Sequence, residues 1–180
     1  MKEISVSEAF ASNDRVHEKL VALVGSLTDD QLATRDVSQD KWSVSEVVEH
    51  ISIVEAGIAG LCSKLLQRAK ENGATSDGKI RLSDHFLLEG DKSMAEKWQA
   101  PDRVRPTGTK TIQDSFALMA DTRAKLEELR PLFEDFSSSD SSFPHPFLGD
   151  LTAAEWLCLI GGHGVRHMRQ IKRILKPVAE

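Results

Sequence analysis

Cysteine is nearly absent: Cys62 and Cys158 are the only two in 180 residues, they lie far apart, and neither sits in a CxxC context. That excludes a disulfide framework and a thiolate zinc site, and it fits a reducing compartment with both thiols structural. No apolar run reaches the ~18 residues that a membrane span needs. The opening MKEISVSEAF lacks the basic start and apolar core of a secretory signal, so a cytoplasmic location is expected. Positive charge is also short. A net charge of −5 and a pI near 5.7 leave no electrostatic footprint for nucleic acid. The basic residues that do cluster (Arg166, Arg169, Lys172, Arg173 and Lys176) fall near the end of a helical segment, where cations are favoured anyway. Strand-like alternation is almost missing, so the patterning that remains is helical.

What is present is 40% hydrophobic residues, enough for one well-buried core, and the expectation is a single all-α domain over residues 1–180. Apolar residues recur at helical spacing in four long segments. The first spans about Ser7 to Leu27, with Val16, Leu20, Leu23, Val24 and Leu27 on one face; Thr28, Asp29 and Asp30 end it. The second opens at a capping box, Ser43 with Glu46, and runs to about Glu71 along Val47, Ile51, Val54, Ile58, Leu61 and Leu65. The third runs from near Thr111 to about Phe133. The fourth opens at a second capping box, Thr152 with Glu155, and faces inward through Trp156, Leu159, Ile160, Ile171 and Ile174.

Between the second and third helices, residues 72–110 break into glycines, prolines and charges, with one short amphipathic piece around Ser83 to Gly90. This is a long crossover containing short helices. A connection of that length either lids a site or serves as plain scaffold. A serine run at 137–142 is expected to be a flexible link. Arg123 falls in the middle of the third helix's apolar stripe, where it must snorkel, pair with a carboxylate, or anchor an anionic substrate. Four long helices with one long crossover describe a four-helix bundle.

The last helix carries the feature that local propensity does not explain. In GGHGVRHMRQI, residues 161–171, three glycines surround a histidine, and each glycine costs about 0.5–1 kcal/mol in a helix interior. His163 and His167 are four residues apart, so their rings share one face. His50, between Val47 and Val54, points inward from the second helix. Bundles commonly build metal sites from facing helices, and His50, His163 and His167 are the candidate ligands; a polar core cluster of three histidines is the bland alternative. The glycines leave the helix surface bare, either for a ligand or for close packing. Gln170, one turn beyond His167, is a candidate for orienting a ligand, and Glu46, one turn before His50, for outer support. His145 precedes a proline and has either a turn-forming or a site role. His17 and His85 carry no signal.

Three blocks in order, WSVSEVVEH at 42–50, HPFLGDLTAAEWL at 145–157 and HGVRHMRQI at 163–171, resemble the DinB-like superfamily. That family comprises metal-binding four-helix bundles related to bacillithiol S-transferases and mycothiol-dependent maleylpyruvate isomerases. The resemblance covers about residues 40–180, but residues 72–110 match none of its motifs. It implies that His50, His163 and His167 are a metal triad and that the chain forms a homodimer.

Three neutral imidazoles leave a coordination position open, as in catalytic sites. Zinc is the first expectation and nickel the second. The family implies a low-molecular-weight-thiol S-transferase acting on a small-molecule substrate. Activated water would instead make a hydrolase, and a site without turnover would make a metal- or ligand-binding bundle.

Overall fold

The computed structural model of the chain describes residues 2–35, 42–96, 98–137 and 140–176. β1 (Lys2–Ser5) leads into α1 (Val6–Gly25), and a short α2 (Asp29–Ala33) precedes α3 (Val44–Glu71). The crossover holds β2 (Lys79–Leu82), α4 (Asp84–Ser93) and a 3-10 turn at Asp102–Val104. Then follow α5 (Ile112–Phe136), β3 (Ser142–His145), β4 (Gly149–Thr152) and α6 (Ala153–Ile174). The architecture is a four-helix bundle: α3 packs on α5 and α6, and α1 lies along α6.

The helices start where side chains satisfy their first backbone N–H groups. Ser5, Thr28, Ser43, Thr111 and Thr152 each form a reciprocal capping box with the residue three further on. The boxes at Ser43 and Thr152 are the two that the sequence announces. The inward stripes then build two apolar clusters, one around Leu66, Phe133, Leu151 and Leu157, the other around Leu20, Ile51, Met119 and Ile171.

Helix ends and strands differ from expectation in small ways. The first helix is Val6–Gly25, because Ser5 caps it, and Thr28 caps α2 rather than only ending α1. The third helix continues past Phe133 to Phe136 with Pro131 inside it. Two small antiparallel ladders accompany the helices: β1 pairs with β2, and β3 with β4. Each strand has four residues, too few to show an alternation, and the partner of β1 lies in the crossover. In the serine run, Ser137 closes α5 and donates to the Lys79 carbonyl at 3.1 Å, while residues 138 and 139 lie outside the described residues.

Arg123 meets a carboxylate. It pairs with Asp14 of α1, so it is a structural ion pair between helices rather than a substrate anchor. Beside it Glu55 of α3 is buried. Loss of solvation pushes its carboxyl up to about 7, against the opposing pull of Arg123. The folded chain therefore keeps a proton that the unfolded chain releases above about pH 4.5, and stability falls as pH rises through 7. Glu55→Gln is expected to add about 1–3 kcal/mol of stability above pH 7, since one pKa unit is about 1.4 kcal/mol. It should add almost nothing at pH 4, as checked by denaturant melts at both pH values.

Two of the three helix glycines are packing residues. A Cβ at Gly161 would stand 2.7 Å from Asn13 Oδ1, and one at Gly164 would stand 2.8 Å from Val16 Cγ1. α1 and α6 thus approach through glycine, and Asn13 Nδ2 donates to the Leu157 carbonyl across the contact at 2.9 Å. A Cβ at Gly162 would meet nothing within 4 Å. Gly161→Ala and Gly164→Ala should lower the thermal midpoint despite the gain in helix propensity, whereas Gly162→Ala should raise it.

Candidate metal centre

α3 and α6 bring His50, His163 and His167 together at one end of a cavity of about 710 Å³. Each ring offers one nitrogen, and the three nitrogens lie within 4.8 Å of one another. His163 Nε2 is 3.2 Å from His50 Nε2 and 3.0 Å from His167 Nε2. Trp42 packs on the His50 ring with centroids 5.0 Å apart.

The hydrogen bonds behind the rings decide what those nitrogens carry. His50 Nδ1 lies 2.7 Å from the Val104 carbonyl oxygen, which can only accept, so Nδ1 holds the proton and Nε2 presents a lone pair. His167 Nδ1 lies 2.7 Å from Gln170 Oε1, with the same consequence. Two lone pairs therefore face His163 Nε2. A single proton on that atom would serve one of them and leave the other without a donor. A proton on His163 Nδ1 instead sits on a buried atom with no hydrogen-bond partner.

Burial and mutual proximity keep His163 and His167 neutral. Burial, together with the neighbouring His167 and His50 imidazoles, drives His163 well below the ordinary histidine range. Burial and His50 push His167 down to about 3. The result is a set of imidazole donors aimed at one place with too few protons to satisfy them, which is the chemistry a divalent cation requires. Two of the three separations, 3.2 and 3.0 Å, also match such an ion. Nitrogens around a zinc ion at ~2.0–2.1 Å with tetrahedral angles stand ~3.3 Å apart.

The outer supports differ in part from those suggested by sequence. Gln170 holds His167, as its position one turn beyond predicts. Glu46 closes the capping box with the Ser43 N–H at 2.6 Å and pairs with Arg35 at 2.7 Å. The support of His50 comes from the crossover, through Val104 of the 3-10 turn.

That turn is itself held by Glu49, the buried neighbour of His50. Its carboxylate accepts from Thr107 N at 3.0 Å, Thr107 Oγ1 at 2.7 Å and Gly108 N at 2.9 Å. Glu49 has no sequence signature, since its neighbours on the helix face, Ser45, Glu46 and Ser52, are polar too. Glu155 was visible only as a capping residue. It also accepts from Ser83 N and Ser83 Oγ at 3.1 and 2.6 Å, joining the start of α4 to the start of α6.

The crossover also walls the cavity with Met94, Trp98 and Arg103, opposite Gly162 and Leu159 of α6. Cys62 and Cys158 are free, and burial raises both thiols, Cys158 to about 12. His85, unremarkable in sequence, donates through Nε2 to the Leu148 carbonyl at 3.0 Å.

A family model described as the DinB superfamily matches residues 13–171. The chain is 26% identical over 157 residues to the uncharacterized protein YuaE of Bacillus subtilis (strain 168), a match spanning 84% of this chain and 88% of that one. It is similar in structure to TT2238, whose crystal structure is described as that of a four-helix bundle protein. The TM-score is 0.61 at 20% identity, covering 94% of this chain and 99% of the other. Among the described residues, no helix is long and apolar enough to cross a membrane.

Replacing Glu49 by Gln removes a charge-assisted acceptor of three hydrogen bonds, each worth about 1.5–3 kcal/mol when the partner is charged. The expected outcome is a lower melting temperature together with increased amide exchange at Thr107 and Gly108, the exchange change being the specific sign.

Proposed function

Because the chain belongs to the DinB superfamily, we propose that it is a divalent-metal-dependent enzyme in which His50, His163 and His167 hold the metal. The substrate reading is a low-molecular-weight thiol transferred to an electrophilic small molecule. The observation that carries the metal reading is the convergence of three imidazole Nε2 atoms in the wall of a large cavity. Zinc is the first choice and nickel the second, since imidazole suits both.

A bound divalent metal supplies Lewis acidity that lowers the pKa of a thiol or water beside the imidazoles. The chain's own residues do the rest. The Val104 carbonyl and Gln170 fix the tautomers of His50 and His167, so that both Nε2 atoms stay available. Trp42, Val54 and Leu159 give the same cavity apolar lining beside the histidines. Cys62 is buried and Cys158 half-buried, and burial raises both thiols, which supports a second small molecule as the source of the sulfur in a transfer reaction. The likeness of the family to S-transferases and the apolar cavity support a thiol over water as the nucleophile. A reducing, cytoplasmic compartment suits both the thiol and the free cysteines.

Elemental analysis of untagged protein is expected to find about one equivalent of zinc or nickel, lost in His163→Ala. No metal in either protein, even after zinc or nickel is supplied, would end the metal reading. Gln170→Ala is expected to weaken metal binding by about 10–100-fold with the fold intact. Thiol consumption with a chlorodinitrobenzene should depend on the metal and disappear in His167→Ala; an unchanged rate there would refute the transfer mechanism.

A further inference from the structure

The cavity is lined by two further N–H donors that the metal reading does not use. His145 ends β3, and its Nδ1 accepts from two backbone amides, Phe147 N and Leu148 N, each at 3.1 Å. An atom accepting two N–H groups carries no proton, so the proton of the neutral ring sits on Nε2. The ring is locked in that form, because the turn that supplies the two amides is tied to α4 by the His85 bond to the Leu148 carbonyl. Burial and the nearby Arg103 guanidinium push His145 down to about 4, so the ring stays neutral at ordinary pH and donates by virtue of its tautomer alone.

Trp156 of α6 is the second donor. It lines the same cavity and is 6% exposed, yet its indole Nε1 is buried with no hydrogen-bond partner. A buried indole N–H without an acceptor costs free energy, and tryptophan in that position usually has one. The His145 and Trp156 rings have centroids 5.2 Å apart, so the two donors share one region of the wall.

The surroundings state what accepts from them. Trp98 and Phe147 stack with centroids 4.6 Å apart and planes 18° apart, with the Arg166 guanidinium 5.4 Å from the Trp98 centroid, and the 40% exposed Phe147 ring is the aromatic surface left for a flat ring. Arg103 lines the cavity close enough to bear on His145, which favours an anion over a neutral oxygen. We propose that His145 Nε2–H and Trp156 Nε1–H form a two-donor subsite that seats the carboxylate of an aromatic acid in the cavity. It rests on the proposed function only in calling that acid a substrate; the binding itself needs no metal.

The test is a proton–nitrogen NMR titration of the metal-free and the zinc-treated protein with naphthoate, naphthalenemethanol and naphthaldehyde. Naphthoate is expected to move the Trp156 indole N–H and the His145 Nε2–H resonances saturably in both preparations. Naphthalenemethanol, with the same ring and no carboxylate, should bind at least about tenfold more weakly, as should naphthoate to Trp156→Phe and to His145→Gln.

The wild-type resonances carry the test if a variant does not fold. Naphthoate binding that leaves both N–H signals in place, or no binding at all, would overturn the subsite. Tighter binding of naphthaldehyde would overturn the carboxylate assignment. A protein that takes up no zinc but still shows both shifts would refute the metal reading and leave the subsite standing.

Discussion

The hydrogen bonds from His50 Nδ1 to the Val104 carbonyl and from His167 Nδ1 to Gln170 govern the chemistry of this bundle. Each places a proton on the ring nitrogen that faces away from the cavity and so leaves a lone pair on the one that faces in. Reversal of either tautomer would put an N–H where a cation needs a donor. The His50 bond depends in turn on the crossover staying against α3, which Glu49 secures by accepting from Thr107 and Gly108. The site is therefore built by a helix face and a loop together, and burial that keeps His163 and His167 neutral also makes an unsatisfied nitrogen costly.

α6 meets two different demands on opposite faces. Toward α1, Gly161 and Gly164 allow an approach that a Cβ would block. Toward the cavity, His163 and His167 stand one turn apart with the open Gly162 beside them. The glycines that look unfavourable for a helix thus separate into two that let the backbone pack and one that borders the cavity. Packing elsewhere, through Ile171 and Leu157 in the two apolar clusters, offsets their propensity cost.

The bundle was legible because its helices are long, periodic and capped; the Ser43–Glu46 and Thr152–Glu155 boxes form where their spacing places them. The convergence of His50, His163 and His167 was legible for the same reason, since i,i+4 spacing and an inward stripe fix direction. Other parts left no trace in side-chain pattern. Val104 acts through a backbone carbonyl, which any residue carries. β1 finds its partner in the crossover, a pairing no local pattern records. Glu46 had two readings, helix cap and support of His50, because one carboxylate serves either its own helix end or a neighbour, and the structure puts it on the cap and on Arg35. Arg123 offered several roles in sequence, and only the position of Asp14 on α1 selects one.

X-ray absorption at the metal edge of the zinc-loaded protein tests the central claim most directly, because it reports the donors themselves. Three imidazole nitrogens at about 2.0–2.1 Å, reduced to two in His163→Ala, are the expected result. A shell of oxygen donors without imidazole scattering would contradict it.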